Sequence, residues 1–229
     1  MKLLVFAHVP PPFHGQSFMV QQLLDELQED NSEVLDVFHI DARLSKDIDD
    51  IASVGFRKFF LLFSYCMRAI WLRVMKGATH FYYVPAPGLR SAVYRDWIVM
   101  LLCRPFYRNI IYHYQAAGVG AWLENKAYNW ERWISQFLLG RASLSIVLGD
   151  YYHEDAGKLC PKKIITIPNC CPDPCPDYEE RIKPKQLARA DALNSEGTFR
   201  VLYLSLCYRE KGLFDLIEAI ALVNNRLRD

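Results

Sequence analysis

Three short segments concentrate the residue types able to hold a ligand or act on it. The first is Pro10-Pro11-Pro12-Phe13-His14-Gly15-Gln16-Ser17, between an apolar run and a helical pattern. Prolines stiffen such a loop, Gly15 lets a ligand approach the backbone, and the free amides of the next helix favour an anion. A rigid strand-to-helix turn with no ligand would have the same composition. The second is Tyr112-His113-Tyr114-Gln115, where His113 ends an apolar run and would reach a cleft. A lone histidine on an apolar strand is more often structural. The third is Ser205-Leu206-Cys207-Tyr208-Arg209-Glu210-Lys211-Gly212, ahead of another helical pattern. Arg209 and Lys211 at a helix start suit a diphosphate through charge and backbone donors. A solvated loop with ordinary surface cations is the plain alternative.

The elements that must position these segments alternate between short apolar runs and longer helical patterns, as in parallel βαβ units. Strands are expected at Lys2–Val9, Glu33–Ile40, His80–Val84, Asn109–Tyr114, Leu144–Leu148 and Ile164–Ile167. Between them fall helices at Phe18–Leu27, capped by Ser17, and at Ile51–Lys76, Leu89–Leu102, Glu124–Leu139 and Tyr152–Leu159. Pro105 prevents the third of these helices from running on. Six strands with crossovers make an α/β fold, a doubly wound parallel sheet over residues 1–169. Ligands then bind beyond the carboxyl ends of the strands, where the first two segments lie. Residues 170–197 are rich in proline and charge and read as an interdomain linker. A strand at Phe199–Leu206 and a helix at Gly212–Leu227 open a second α/β domain, 198–229, which is expected to be truncated because one strand and one helix cannot bury a core.

Charge is unevenly spread. The first fifty residues carry ten acids and three bases, whereas Ile51 to Leu123 carries nine Lys and Arg and one acid, Asp96. Such a field favours an anionic partner, unless it is a chance of helix faces. In the Ile51–Lys76 helix, Phe56, Phe59, Phe60, Phe63, Met67, Ile70, Trp71 and Val74 share one side. Arg57, Lys58, Arg68, Arg73 and Lys76 fall on the other, interleaved with Leu61, Leu62, Tyr65 and Leu72. That basic, apolar-interleaved side would suit an anionic membrane surface. The apolar runs around Phe59–Phe63 and Trp97–Cys103 fall short of the roughly 18–20 residues of a spanning helix. With no signal peptide expected and an odd count of seven cysteines, the thiols read as free in a reducing, cytoplasmic compartment.

Several chemistries lack their residues. A dinucleotide site needs G-x-G-x-x-G after the first strand, and His8–Ser17 has one glycine. G-x-S-x-G, the serine hydrolase elbow, does not occur. Cys170, Cys171 and Cys175 lack C-x-x-C pairing, so no metal site is expected.

Taken together, Pro-Pro-Pro-x-His-Gly-Gln-Ser after the first strand, Ile167-Pro168-Asn169 followed by Pro172-Asp173, and Arg209-Glu210-Lys211-Gly212 followed by Leu216-Ile217-Glu218-Ala219 resemble the bacterial family 4 glycosyltransferases of the GT-B fold, in the family's own order. The resemblance implies retaining transfer of a sugar from a nucleoside-diphosphate-sugar donor to a glycan or lipid-linked acceptor held mainly by the first domain. It implies work in surface-polysaccharide or glycolipid synthesis, with no cofactor, no metal and no nucleic acid partner. His113 would match the histidine that contacts the transferred sugar. Gly15, with Gln16 and Ser17 beside it, would lie near the donor phosphates, and Lys211 would neutralise the leaving diphosphate. The arginine often found five positions before that lysine is here Leu206, so Arg209 is the substitute. The family's paired glutamates and nucleoside pocket lie further into the second domain, so the chain as given is expected to be inactive. The alternative is a non-catalytic remnant that binds an anionic membrane surface or a partner chain.

Overall fold

The computed structural model describes residues 1–29, 34–44, 56–171, 173, 175–196, 201–205 and 209–226. The expected element starts at Glu33 and Ile51, Pro172 of the Pro-Asp pair, and Leu206 to Tyr208 of the third segment lie outside these residues. The chain divides into two compact units, Met1–Cys171 and Pro172–Asp229.

In the first unit, β1 (Lys2–Phe6), β2 (Asp36–Ile40), β3 (His80–Tyr83), β4 (Asn109–His113), β5 (Leu144–Val147) and β6 (Ile164–Thr166) form one sheet, ordered β2-β1-β3-β4-β5-β6. Every pairing is parallel: Val5 lies beside His39 on one flank and Tyr82 on the other, and Tyr82 beside Ile111. Alternation along the strands gives the sheet two apolar faces, and a parallel sheet needs both covered. Leu3, Val5, Tyr82 and Val84 pack with Val20 and Leu24 of α1 (Gly15–Glu29). Leu4, Phe6, Phe81, Tyr83, Ile110 and Tyr112 pack under α2 (Phe56–Trp71), α3 (Arg90–Cys103), α4 (Val119–Asn125), α5 (Asn129–Leu138) and α6 (His153–Gly157). The fold is therefore α/β and Rossmann-like. β1 continues to β2 on one flank while β3 takes the other, so the topological switch point lies between β1 and β3.

Four local expectations give way to stronger interactions. Ser17 is not the cap of α1. The helix starts at Gly15, three residues before the expected Phe18; His14 Nδ1 accepts from the Ser17 amide at 3.4 Å, and Ser17 Oγ accepts from the His14 amide at 3.2 Å, a reciprocal capping box with His14 as the cap. The single helix expected at Glu124–Leu139 is two, because the amide of extended Tyr128 donates to the Glu131 carboxylate at 2.7 Å and starts α5 afresh. α2 buries Leu62, Cys66 and Ala69, small enough for the buried Tyr107 hydroxyl to donate to Ala69 O at 2.6 Å. Leu62 and Leu72 belong to the basic, apolar-interleaved side expected to suit a membrane, so that side packs inward and the aromatic side faces outward.

The fourth concerns the second unit. The stretch expected to be a linker carries a π-helical turn, Tyr178–Ile182, and α7 (Lys183–Glu196). Gln186-Leu187-Ala188-Arg189-Ala190 are strong helix formers. Lys183 pairs with Glu179 at 2.6 Å, and the Tyr178 hydroxyl donates to Gln186 at 2.7 Å. The expected strand at Phe199–Leu206 is not formed over its described part, Val201–Ser205, for among the described residues the unit offers no strand with which to pair. A 3-10 turn, Arg209–Lys211, then leads through Gly212, at a φ of +79° that favours glycine, into α8 (Leu213–Arg226).

Candidate functional site

The carboxyl edge of the sheet brings together the loop after β1, the loop after β3 and the loop after β4. The β1 loop is held from behind by the end of β2. Arg43 donates to the carbonyls of Val9 and Pro10 and pairs with Asp41 at 2.6 Å, while Asp41 accepts from the Val9 amide. From within, the buried Ser17 hydroxyl donates to Pro12 O at 2.8 Å. Its role in the structure is to shape the loop, since its hydroxyl is committed to that carbonyl and to His14.

His14 Nδ1 accepts from Ser17, so its proton sits on Nε2, which donates to His8 Nε2 at 2.8 Å. Burial, then the neighbouring His14 and Arg95, lowers the His8 pKa to about 4, and burial lowers that of His14 as well. Both rings are therefore neutral at neutral pH.

Gly15 and Gln16 are the first residues of α1, whose leading amides have no acceptor within the helix. A Cβ at Gly15 would meet nothing within 4 Å. No crowding inside the molecule asks for a glycine there, so the open backbone is left for an approaching group. Gly88, in the β3 loop, is the opposite case: a Cβ would stand 2.0 Å from the Gly118 carbonyl oxygen of the β4 loop. Asp155 clamps that second loop by accepting from the Gly118 and Ala121 amides at 3.0 and 2.9 Å. Two loops are thus locked together, while the third presents free backbone.

His113 ends β4 and is half-buried. The Gln115 amide nitrogen stands 3.1 Å from its Nε2, and Asn169 Nδ2 donates to Gln115 Oε1 at 3.0 Å, fixing the direction of that amide. An amide nitrogen can only donate, so Nε2 accepts and the proton lies on Nδ1, 2.5 Å from the Tyr82 hydroxyl. Burial lowers the His113 pKa to about 4 and raises that of Tyr82 well above the ordinary phenol value. A neutral imidazole has one donor and one acceptor, and here Tyr82 and Gln115 occupy both. Tyr82 carries no signal in the sequence, because its contact with His113 is made across two strands.

Behind the β3 loop, Asp96 is buried and accepts from the Tyr83 hydroxyl at 2.6 Å and the Ala86 amide at 2.7 Å, while Arg95 pairs with it at 2.8 Å. Two shallow depressions elsewhere, one bordered by Gly88, Arg90 and Trp122 and one by Gly120, Glu124 and Lys158, include neither Gly15 nor His113. No group of three or more His, Cys, Asp or Glu among the described residues stands close enough to hold a metal ion.

In the second unit Arg209 and Lys211 are both exposed in the turn before α8. Arg209 lies over the Phe214 ring at 6.0 Å, and the Tyr203 hydroxyl donates to Lys211 O at 3.2 Å. The turn therefore presents two cations close to the amides that begin α8. Comparison of the chain with protein-family models and with curated proteins gives no match.

Proposed function

We propose that the chain belongs to a GT-B glycosyltransferase of family 4 type, retaining, which takes its sugar from a nucleoside diphosphate. The observation that carries this reading is the pairing, at one edge of the sheet, of an unhindered glycine at a helix start with a neutral, hydrogen-bond-ordered His113. The open amides of Gly15 and Gln16 suit an anion. His113 is the residue that the resemblance assigns to the transferred sugar; Tyr82 holds its Nδ1, and a sugar hydroxyl would take the place of Gln115 at Nε2. Ser17 contributes by holding the loop. Arg209 and Lys211 are the cations that bind the leaving diphosphate, and stabilising its developing charge is where such a reaction gains much of its rate. Those cations supply the countercharge that a metal would otherwise provide. The acceptor in this reading is a glycan or a lipid-linked sugar at the cytoplasmic face of a membrane, for which the outward aromatic side of α2 speaks.

Titration calorimetry with a panel of UDP-, GDP- and dTDP-sugars tests the proposal, in a form of the chain that also carries the nucleoside pocket that the resemblance places further into the second domain. Binding of one donor is expected, weakened about tenfold or more by Lys211→Ala, the usual cost of a lost charge-assisted hydrogen bond. Binding of none of them would overturn it.

A further inference from the structure

The outer side of α2 and the turn that follows it, Leu72–Lys76, is apolar along its length. Phe56, Phe59, Phe60, Phe63, Met67, Trp71, Val74 and Met75 are between 37% and 87% exposed. Phe56, Phe60, Phe63, Met67, Trp71 and Val74 recur at spacings of three and four, so the stripe that normally meets a core here points away from it. α3 packs beside α2 and α5 beside α3. These neighbours add exposed Leu101 from α3, Phe106 just after it, and Trp130, Trp133 and Phe137 from α5, with Trp133 and Phe137 stacked at 5.8 Å. An outward apolar surface of this extent marks an interaction site.

Its charge identifies the partner. α2, its following turn, α3 and α5 hold two carboxylates, Asp96 and Glu131, and both are buried. Asp96 serves Tyr83, Ala86 and Arg95, and Glu131 serves Arg90, Tyr94 and Tyr128. The outer surface of these helices therefore shows apolar groups and cations, with Arg57, Arg68 and Lys76 exposed along the flank of the stripe. A second copy of the chain is a poor match. In a two-fold interface each surface meets itself, so cations would face cations with no carboxylate between them. Phe and Trp beside Lys and Arg, on helices lying in one layer, is the composition that settles into the headgroup region of an anionic bilayer.

We infer that the α2–α3–α5 face docks on an anionic membrane surface, with the α2 aromatics inserted among the lipids and Arg57, Arg68 and Lys76 set against the headgroups. The surface bound is a bilayer, not a single lipid. This docking does not depend on sugar transfer, since lipid binding and donor binding are read by separate measurements.

Vesicle flotation of the intact chain tests it, with phosphatidylcholine vesicles compared with vesicles that also contain phosphatidylglycerol. Flotation is expected with the anionic vesicles and is expected to weaken as salt rises. Phe60→Ser with Trp71→Ser should reduce binding by about tenfold or more, from the apolar area lost. Arg57→Ala with Arg68→Ala should reduce it about fivefold for each cation removed. All four positions are exposed, so thermal unfolding should match the parent. Failure of the parent chain to float with phosphatidylglycerol vesicles overturns the inference, whatever the variants do. So does flotation that the aromatic substitutions leave unchanged. A dimer in sedimentation that Phe60→Ser disperses would also overturn it, by assigning the face to a second copy.

Discussion

The two units of this chain draw on similar residues and reach opposite ends. In the first, Leu4, Val5, Phe81, Val93 and Met100 are wholly removed from water. In the second, Phe214, Ile217, Leu222 and Val223 of α8 are all exposed, and no residue of that helix is buried. α8 is more amphipathic than α1 and α3 of the first unit, so helical pattern is not what separates them. What separates them is a second layer. A helix buries its stripe only against another element, and the first unit supplies a sheet with two faces for that purpose. Among its described residues the second unit has no such layer, and it shows how far propensity and a glycine turn carry a chain.

The largest test of this contrast is a pair of truncations. Phe81→Ala, beneath the rings of Phe6, Tyr83 and Tyr107, should cost about 3–5 kcal/mol in urea unfolding, whereas Ile217→Ala should stay within about 0.5 kcal/mol. Comparable costs would mean that α8 has a buried face after all. Gly88→Ala comes next. Its methyl has no room beside Gly118, and a loss of about 1–3 kcal/mol is expected by the same measurement.

A pH series sharpens the comparison further. Burial holds His8 and His113 at about 4 in the folded chain, against the ordinary 6.5 of an unfolded histidine. Between those values the unfolded chain binds more protons, so stability rises with pH. The contribution is fully present above about 6.5 and is lost as pH falls toward about 4. Glu131 is costly to bury, yet the hydrogen bonds from Tyr94, Tyr128 and Arg90 hold it below its ordinary 4.5, so it adds a further loss at lower pH. Urea midpoints measured across this range should fall on acidification. The double variant His8→Gln and His113→Gln should flatten the upper part of the slope, and an unchanged slope would show that the rings are solvated.

The smallest expected effect is that of Gly15→Ala, within about 0.5 kcal/mol of the parent in unfolding, because the added methyl meets nothing. The same variant should weaken binding of a nucleoside-diphosphate sugar in calorimetry. Unchanged binding would make Gly15 part of the turn and not of the site.

The candidate residues were legible as candidates before the fold. His113, Gly15, Arg209 and Lys211 stood out because glycine, histidine and cations beside strand ends and helix starts are few in this chain. Their partners were not legible. Tyr82 lies thirty-one residues from His113, and only the β3–β4 register makes them neighbours. The reciprocal bonds of His14 and Ser17 are local, yet histidine is an uncommon cap, and the serine beside it was the more obvious choice.

By itself the sequence determined the approximate places of the six strands of the sheet, although a seventh run of the same kind, at Phe199–Leu206, forms no strand over its described part. It also determined that α2 would have one aromatic side. Tertiary structure alone decided that β3 takes the far flank of β1 and so where the switch point falls, and that the aromatic side of α2 faces outward. The physical reason is the same in each case. Local pattern shows that a face is apolar, but which face is buried depends on what surface the rest of the chain brings against it, and on α2 the tight fit of Leu62, Cys66 and Ala69 against the neighbouring layer outweighed the larger hydrophobicity of the other side.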